Sequence, residues 1–217
     1  MVAAQFPSTA KMILRSSKIQ GLSSFIDKAF LYILAQRVCP QGDVLEIGSY
    51  KGSSSLLLAA GNAVSSHKGR VWLVDPCFQP SREVFVDNFK KYDLDRNIMM
   101  VEKPSEDARK LIDARFKLIF IDGLHEYSYV KKDILLWKDS LVQGGVIAFH
   151  DIQLKDVVRA INDFIVPCAD FIIQGIVGGI LYASKGASSF LGLDAPFKRF
   201  RALHCFREKV LSFGRVF

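Results

Sequence analysis

The chain has 217 residues, half of them hydrophobic, enough to bury one sizeable core and too few for two ordinary enzyme domains. Its net charge of +7 is concentrated at the ends, +4 in residues 1–40 and +5 in residues 185–217, against −2 in the body. This distribution argues against a nucleic-acid groove through the core and leaves basic ends able to meet an anionic surface. Four scattered cysteines (Cys39, Cys77, Cys168 and Cys205), without a CxxC pair, argue against a disulfide framework or zinc cluster and fit a reducing cytoplasm.

Residues 1–26 hold several bases and no acid, and read as a solvated basic arm, with a transit peptide as the alternative. They lack the basic start and apolar stretch of a secretory leader. An amphipathic helix is expected over Gly21–Arg37, giving an N-terminal arm and helix over 1–40. From position 43, short branched and aromatic runs alternate with amphipathic stretches. The runs are Val44–Ile47, Val71–Val74, Ile98–Val101, Leu118–Ile121 and Val146–Phe149. Between them Ser53–Ala60, Arg82–Tyr92, Ser105–Arg115 and Tyr129–Ser140 read as helices. This alternation predicts βαβ units and a Rossmann-like α/β fold, a mostly parallel sheet with helices on both faces. Asp156–Phe164 follows as a helix, and Phe171–Val177 and Ile180–Ser184 as two strands joined at Gly178-Gly179. Such a hairpin makes the last strand antiparallel and closes a domain spanning 41–184. Phe171–Ala183 is too short and glycine-broken to span a bilayer. A basic C-terminal extension over 185–217 includes a helix at Pro196–Phe213, with Phe197, Phe200, Leu203, Phe206 and Val210 on one face. That stripe suits packing on its own domain or a dimer partner, and, beside its Lys and Arg residues, peripheral membrane contact.

The chemistry gathers at the ends of the predicted strands. Glu46-Ile-Gly48-Ser49-Tyr50-Lys51-Gly52-Ser53 joins the first strand to the first helix, at the carboxyl edge where open α/β sheets bind ligands. Two glycines spaced GxxxG, with an acid before them, suit a ligand with a cationic end rather than a pyrophosphate. Asp75 ends the second strand and can hold a ribose, or form a turn before Pro76. Ser105 opens a helix and is either an adenine contact or an ordinary helix start. Asp122 and His125 end the fourth run, where an imidazole can take a proton from an attacking hydroxyl. His150 and Asp151 end the fifth. With Asp122 they make a set that admits Mg²⁺ or Mn²⁺, or else they only cap the strand. Lys131-Lys132-Asp133 reads as a solvated helix face, and His67 and His204 as surface residues.

With these blocks in order, the sequence resembles class I S-adenosylmethionine (SAM)-dependent methyltransferases. The likeness covers roughly residues 20–184 and is strongest to the methyltransferase domain 24 branch, which includes cephalosporin-hydroxylase-like and sugar O-methyltransferase-like proteins. EIGSYKGSS resembles the first SAM motif and VWLVDP the ribose-binding strand. IDGLHEYSYVKKDILLW followed by LVQGGVIAFHD is the most specific part. The resemblance implies a seven-stranded sheet, SAM held by Glu46, Gly48, Ser49, Tyr50, Gly52, Ser53, Asp75 and Ser105, and methylation of a hydroxyl on a small molecule or glycan. A more distant likeness to metal-dependent catechol and caffeoyl-CoA O-methyltransferases implies a divalent metal at Asp122, His150 and Asp151, with His125 as base. Histidine at 150, where those enzymes carry aspartate, departs from a Mg²⁺ site. The rival readings are a dinucleotide oxidoreductase, which the missing third glycine disfavours, and a non-catalytic SAM-binding or partner-docking module.

Overall fold

The computed structural model describes residues 9–186 apart from 20, 22, 39 and 40. The expected C-terminal helix, its membrane or dimer contact, Cys39, His204 and Cys205 lie outside the described residues. Two short helices, α1 (Thr9–Ser16) and α2 (Phe25–Arg37), precede the alternating region. It runs β1 (Asp43–Ile47), α3 (Ser53–Ala63), β2 (Val71–Val74), α4 (Arg82–Lys90), β3 (Ile98–Val101), α5 (Ser105–Leu111), β4 (Phe116–Ile121), α6 (Tyr127–Trp137), β5 (Leu141–Phe149) and α7 (Lys155–Phe164). The hairpin β6 (Phe171–Val177) and β7 (Ile180–Lys185) follows.

The strands form one seven-stranded sheet in the order β3-β2-β1-β4-β5-β7-β6. β1 to β5 pair in parallel, and β7 is antiparallel to both β5 and β6, as the Gly-Gly turn predicts. Side chains alternate between two cores. Val44, Leu118, Phe120, Val146 and Ala148 pack under α1 to α4, while Leu45, Ile119, Ile121, Ile147 and Phe149 pack under α5 to α7. The chain leaves β1 toward β2 on one side and reaches β4 on the other. The crevice at the carboxyl ends of β1 and β4 is therefore the topological switch point.

Three sequence expectations change. Part of the basic arm is α1, which packs on α2 and α3 and buries Met12 and Ile13. Eight residues cannot hold a helix alone, so packing decides it. The α2 helix starts at Phe25 because Ser24 and Asp27 close a capping box, each side chain accepting from the other's backbone N–H. Asp133 is buried rather than solvated, and only its neighbours Lys131 and Lys132 are exposed. No helix among the described residues is long and apolar enough to cross a membrane.

Candidate active site

Gly48 leaves β1 with φ +87°, and its N–H donates to Val74 at 2.9 Å. On its other side Asp122 donates to the Ile47 carbonyl at 2.8 Å. A Cβ at Gly48 would meet the backbone of Asp122 and Gly123, so only glycine lets the two strand ends approach this closely. Asp75 clamps the loop. Its Oδ2 accepts from the Ser49 and Tyr50 N–H groups at 2.9 and 2.8 Å, and its Oδ1 from Cys77 N–H at 2.8 Å. Of the roughly four acceptor positions of a carboxylate, one is left for a ribose hydroxyl. Tyr50 is exposed, and Gly52 caps α3.

Glu46 is fully buried under this loop. Its Oε2 accepts from Ser49 at 2.9 Å and from Ser55, while Oε1 has no hydrogen-bond partner. Burial pushes its carboxyl up to about 7, despite the opposing pull of Ser54, Ser55 and Ser49. A buried acid with one unmet oxygen fits a ligand ammonium. Ser53 faces the other way: its hydroxyl donates to the Ser16 carbonyl at 3.1 Å and ties α1 to α3. Ser105 accepts from the Trp137 indole at 2.9 Å, beside the Asp133 carboxyl, which burial raises to about 6. The Ser105 side chain therefore fastens α5 to α6.

The strand ends of β4 and β5 bring Asp122, His125, His150 and Asp151 together. His125 Nε2 lies 2.7 Å from Asp151 Oδ2 and 3.7 Å from Asp122 Oδ1. His150 Nδ1 lies 3.3 Å from Asp122 Oδ1 and 3.2 Å from Asp151 Oδ2. These nitrogens are close to the oxygens but not aligned for N–H···O bonds. One ligand atom from each of Asp122, His125 and Asp151 lies within 4.8 Å of the others, spacing compatible with one shared cation. His150, expected with Asp122 and Asp151, is more deeply buried, and its Nδ1 stands within 3.3 Å of the same two carboxylates. The contact with Asp122 raises the His125 imidazole against the opposing effect of burial. Burial lowers His150, but Asp122 and Asp151 outweigh it and push it up to about 9.

The sequence reading missed Asp27 and Gln153. Asp27 Oδ2 stands 3.6 Å from His150 Nε2, and its Oδ1 accepts from Gly179 N–H at 2.8 Å. Gln153 donates to Asp151 Oδ1 at 2.5 Å. Ser24-x-x-Asp27 reads locally as a helix start, and nothing local joins it to a turn 152 residues away.

A family model described as "Methyltransferase domain" matches residues 45–152, the stretch from β1 through the acid–imidazole cluster. No curated protein sequence matches the chain. Among solved structures, cofactor-bound Rv0187 from MTB is 20% identical, with 87% of this chain and 94% of that one aligned at a TM-score of 0.64. An O-methyltransferase from Bacillus cereus in complex with SAH is 18% identical, covering 85% and 93% at 0.64. The O-methyltransferase TomG from Streptomyces achromogenes, involved in tomaymycin synthesis and solved with SAM, is 16% identical, covering 86% and 93% at 0.64. At these identities the likeness is one of fold, and it agrees with the strand order and the domain match. Residues 45–152 thus carry a methyltransferase domain, set in the fold of these structures.

Proposed function

We propose that the protein transfers a methyl group from SAM to a hydroxyl oxygen of a small molecule. One observation carries the reading: the glycine loop and the acid–imidazole cluster are in backbone contact at the switch point, through Gly48 and Asp122. The names of the Bacillus cereus and Streptomyces achromogenes structures, both O-methyltransferases, favour oxygen as the acceptor.

In this reading Glu46 takes the ammonium of the methionyl end, Asp75 keeps the loop in shape and offers its remaining acceptor to the ribose, and the Gly48–Gly52 backbone lines the cofactor. SAM supplies a methyl already activated by a positive sulfonium, so the protein's task is alignment and removal of one proton. Alignment can contribute roughly 7–11 kcal/mol in favourable cases. His125 accepts the acceptor's proton at Nε2, and the carboxylates of Asp151 and Asp122, 2.7 and 3.7 Å from that nitrogen, stabilise the resulting imidazolium.

A second reading rests on the convergence of Asp122, His125 and Asp151. Two carboxylates with an imidazole nitrogen that makes no hydrogen bond fit a divalent cation, Mn²⁺ better than Mg²⁺. Such a cation would lower the pKa of the acceptor hydroxyl, and His125 would then be its ligand rather than a free base.

The test is calorimetric titration with S-adenosylhomocysteine, with and without Mn²⁺, on wild type and Asp75→Ala. Micromolar binding that Asp75→Ala abolishes supports the cofactor site. A cation-dependent heat that His125→Ala removes makes His125 a ligand, and an unchanged heat leaves it the base. No binding under any condition would bring the non-catalytic reading forward.

A further inference from the structure

An open sheet must dispose of the unpaired backbone groups on its outer strands, which here are β3 and β6. The two edges differ. β6 shifts register between Ile173 and Gly175, and such an irregularity turns an edge away from further pairing. β3 pairs with β2 in unbroken register, and Ile98-Met99-Met100-Val101 holds neither charge nor proline. The usual guards against another strand are missing from it.

The backbone shows which groups are open. The Val101 carbonyl accepts from the Asp75 N–H at 3.3 Å, so Val101 and, by alternation, Met99 turn toward β2. The N–H and C=O groups of Ile98 and Met100 therefore turn outward. Their side chains line a cavity of about 200 Å³ together with Arg82, Val86, Phe89 and Asp95, while Met99 points to the opposite face and is exposed.

Charge selects the occupant. Asp95-Arg96 precede the strand and Glu102-Lys103 follow it, so each charge has its opposite at the same distance on the other side of Met99. Arg96, Glu102 and Lys103 are exposed. In an antiparallel pair of identical strands centred on Met99, Arg96 faces the partner's Glu102 and Asp95 faces the partner's Lys103, each twice by symmetry. A parallel pair in register would set like charges against each other. The antiparallel register also places Ile98 opposite the partner's Met100, and these are the residues whose backbone groups turn outward. The same pairing lays apolar side chains over the cavity.

We propose that the protein forms a two-fold dimer through β3, with the two β3 strands antiparallel and Met99 on the axis. The two sheets join into one continuous sheet. Glu102 already stands 3.8 Å from Arg82 of its own chain, so the partner's Arg96 adds to an existing pair. β2 and β1 separate β3 from β4 and the acid–imidazole cluster, and the proposal is independent of the SAM reading.

The test is sedimentation velocity on the full chain over a range of concentrations, for wild type, Arg96→Glu, Glu102→Arg and the double variant. Wild type should dimerise. Each single variant should weaken the dimer about tenfold at low salt, because it turns two attractive pairs into two repulsive ones, and the double variant should return to within about threefold of wild type. Met99→Cys under mild oxidation should form a disulfide between the two substituted positions, mapped by mass spectrometry. A non-hydrogen-bonded antiparallel pair brings its Cα atoms to about 4.5 Å, within disulfide range. Ile172→Cys, exposed on the β6 edge, should form none. The disulfide keeps the proposal testable if a charge variant fails to fold. A wild type that stays monomeric at every concentration overturns the proposal. So does a folded double variant no tighter than the folded single ones, or a disulfide at Ile172→Cys in place of Met99→Cys.

Discussion

Gly48 lies so close to Asp122 that a Cβ on it would stand 2.2 Å from the Asp122 carbonyl oxygen. The loop that follows β1 and the acid that ends β4 therefore cannot move independently, and a change at one is felt at the other.

Gly48→Ala should cost about 2–3 kcal/mol of stability, because the new Cβ meets backbone and φ is +87°. Gly123→Ala is the control. Its Cβ would find the nearest atoms at 3.5 and 3.6 Å, an ordinary contact. Thermal melts of both variants decide the matter: equal losses would contradict the close approach of β1 and β4.

Glu46 predicts a pH dependence. Its folded value of about 7 lies above the ordinary 4.5, so the folded state holds the proton more tightly. The stabilisation is complete below about 4.5 and is lost as pH rises through about 7, amounting to about 3 kcal/mol. The free wild type should therefore weaken between these limits, and Glu46→Gln should flatten that slope. Affinity for S-adenosylhomocysteine should run the opposite way, rising with pH as the carboxylate forms, and Glu46→Gln should abolish that rise. Urea unfolding and titration at several pH values measure the two effects.

His125→Ala should reduce turnover about 10²- to 10⁴-fold while changing cofactor affinity by only a few fold. Single-turnover rates beside binding isotherms provide the comparison. Equal loss of both would sink the assignment of His125 to the reacting centre.

If the cation reading holds, chelation should remove activity and Mn²⁺ should restore it. Asp151→Asn should then raise the Mn²⁺ requirement at least tenfold, because one of the three converging ligand atoms loses its charge. Activity indifferent to chelator leaves the His125–Asp151 pair as the proton acceptor on its own.

Ser53→Ala should destabilise the protein by about 0.5–1.5 kcal/mol, since it removes the Ser53 hydroxyl from the Ser16 carbonyl, which keeps its bond from the Ile19 N–H. Cofactor affinity should change little, because that hydroxyl faces α1. A large drop in affinity would return the Ser53 side chain to the cofactor site, where the sequence pattern puts it.

The strands and the site loops were legible in the sequence because their signals are local. Val71–Val74 and Leu118–Ile121 are continuous apolar runs bounded by turn residues, and a strand buried on both faces needs nothing else. Gly178-Gly179 announces a hairpin in two residues, and the antiparallel last strand follows from it. Asp122, His125, His150 and Asp151 stand directly after such runs, so topology alone gathers them at one edge.

What depends on chain crossings could not be read that way. α1 is too short to persist without α2 and α3 beneath it, so its helix is a product of packing. Asp133 sits among lysines in sequence, but α5 covers it in space. Asp27 meets Gly179 across 152 residues, and Asp75 spends three acceptor positions on backbone N–H groups that no residue pattern marks. By itself the sequence determined the order of the strands along the chain and the residue types at their ends, because burial and turn chemistry act over a few residues. Only the tertiary structure decided which of those groups touch, because a buried acid or imidazole takes its partners from whatever the fold brings within hydrogen-bond reach.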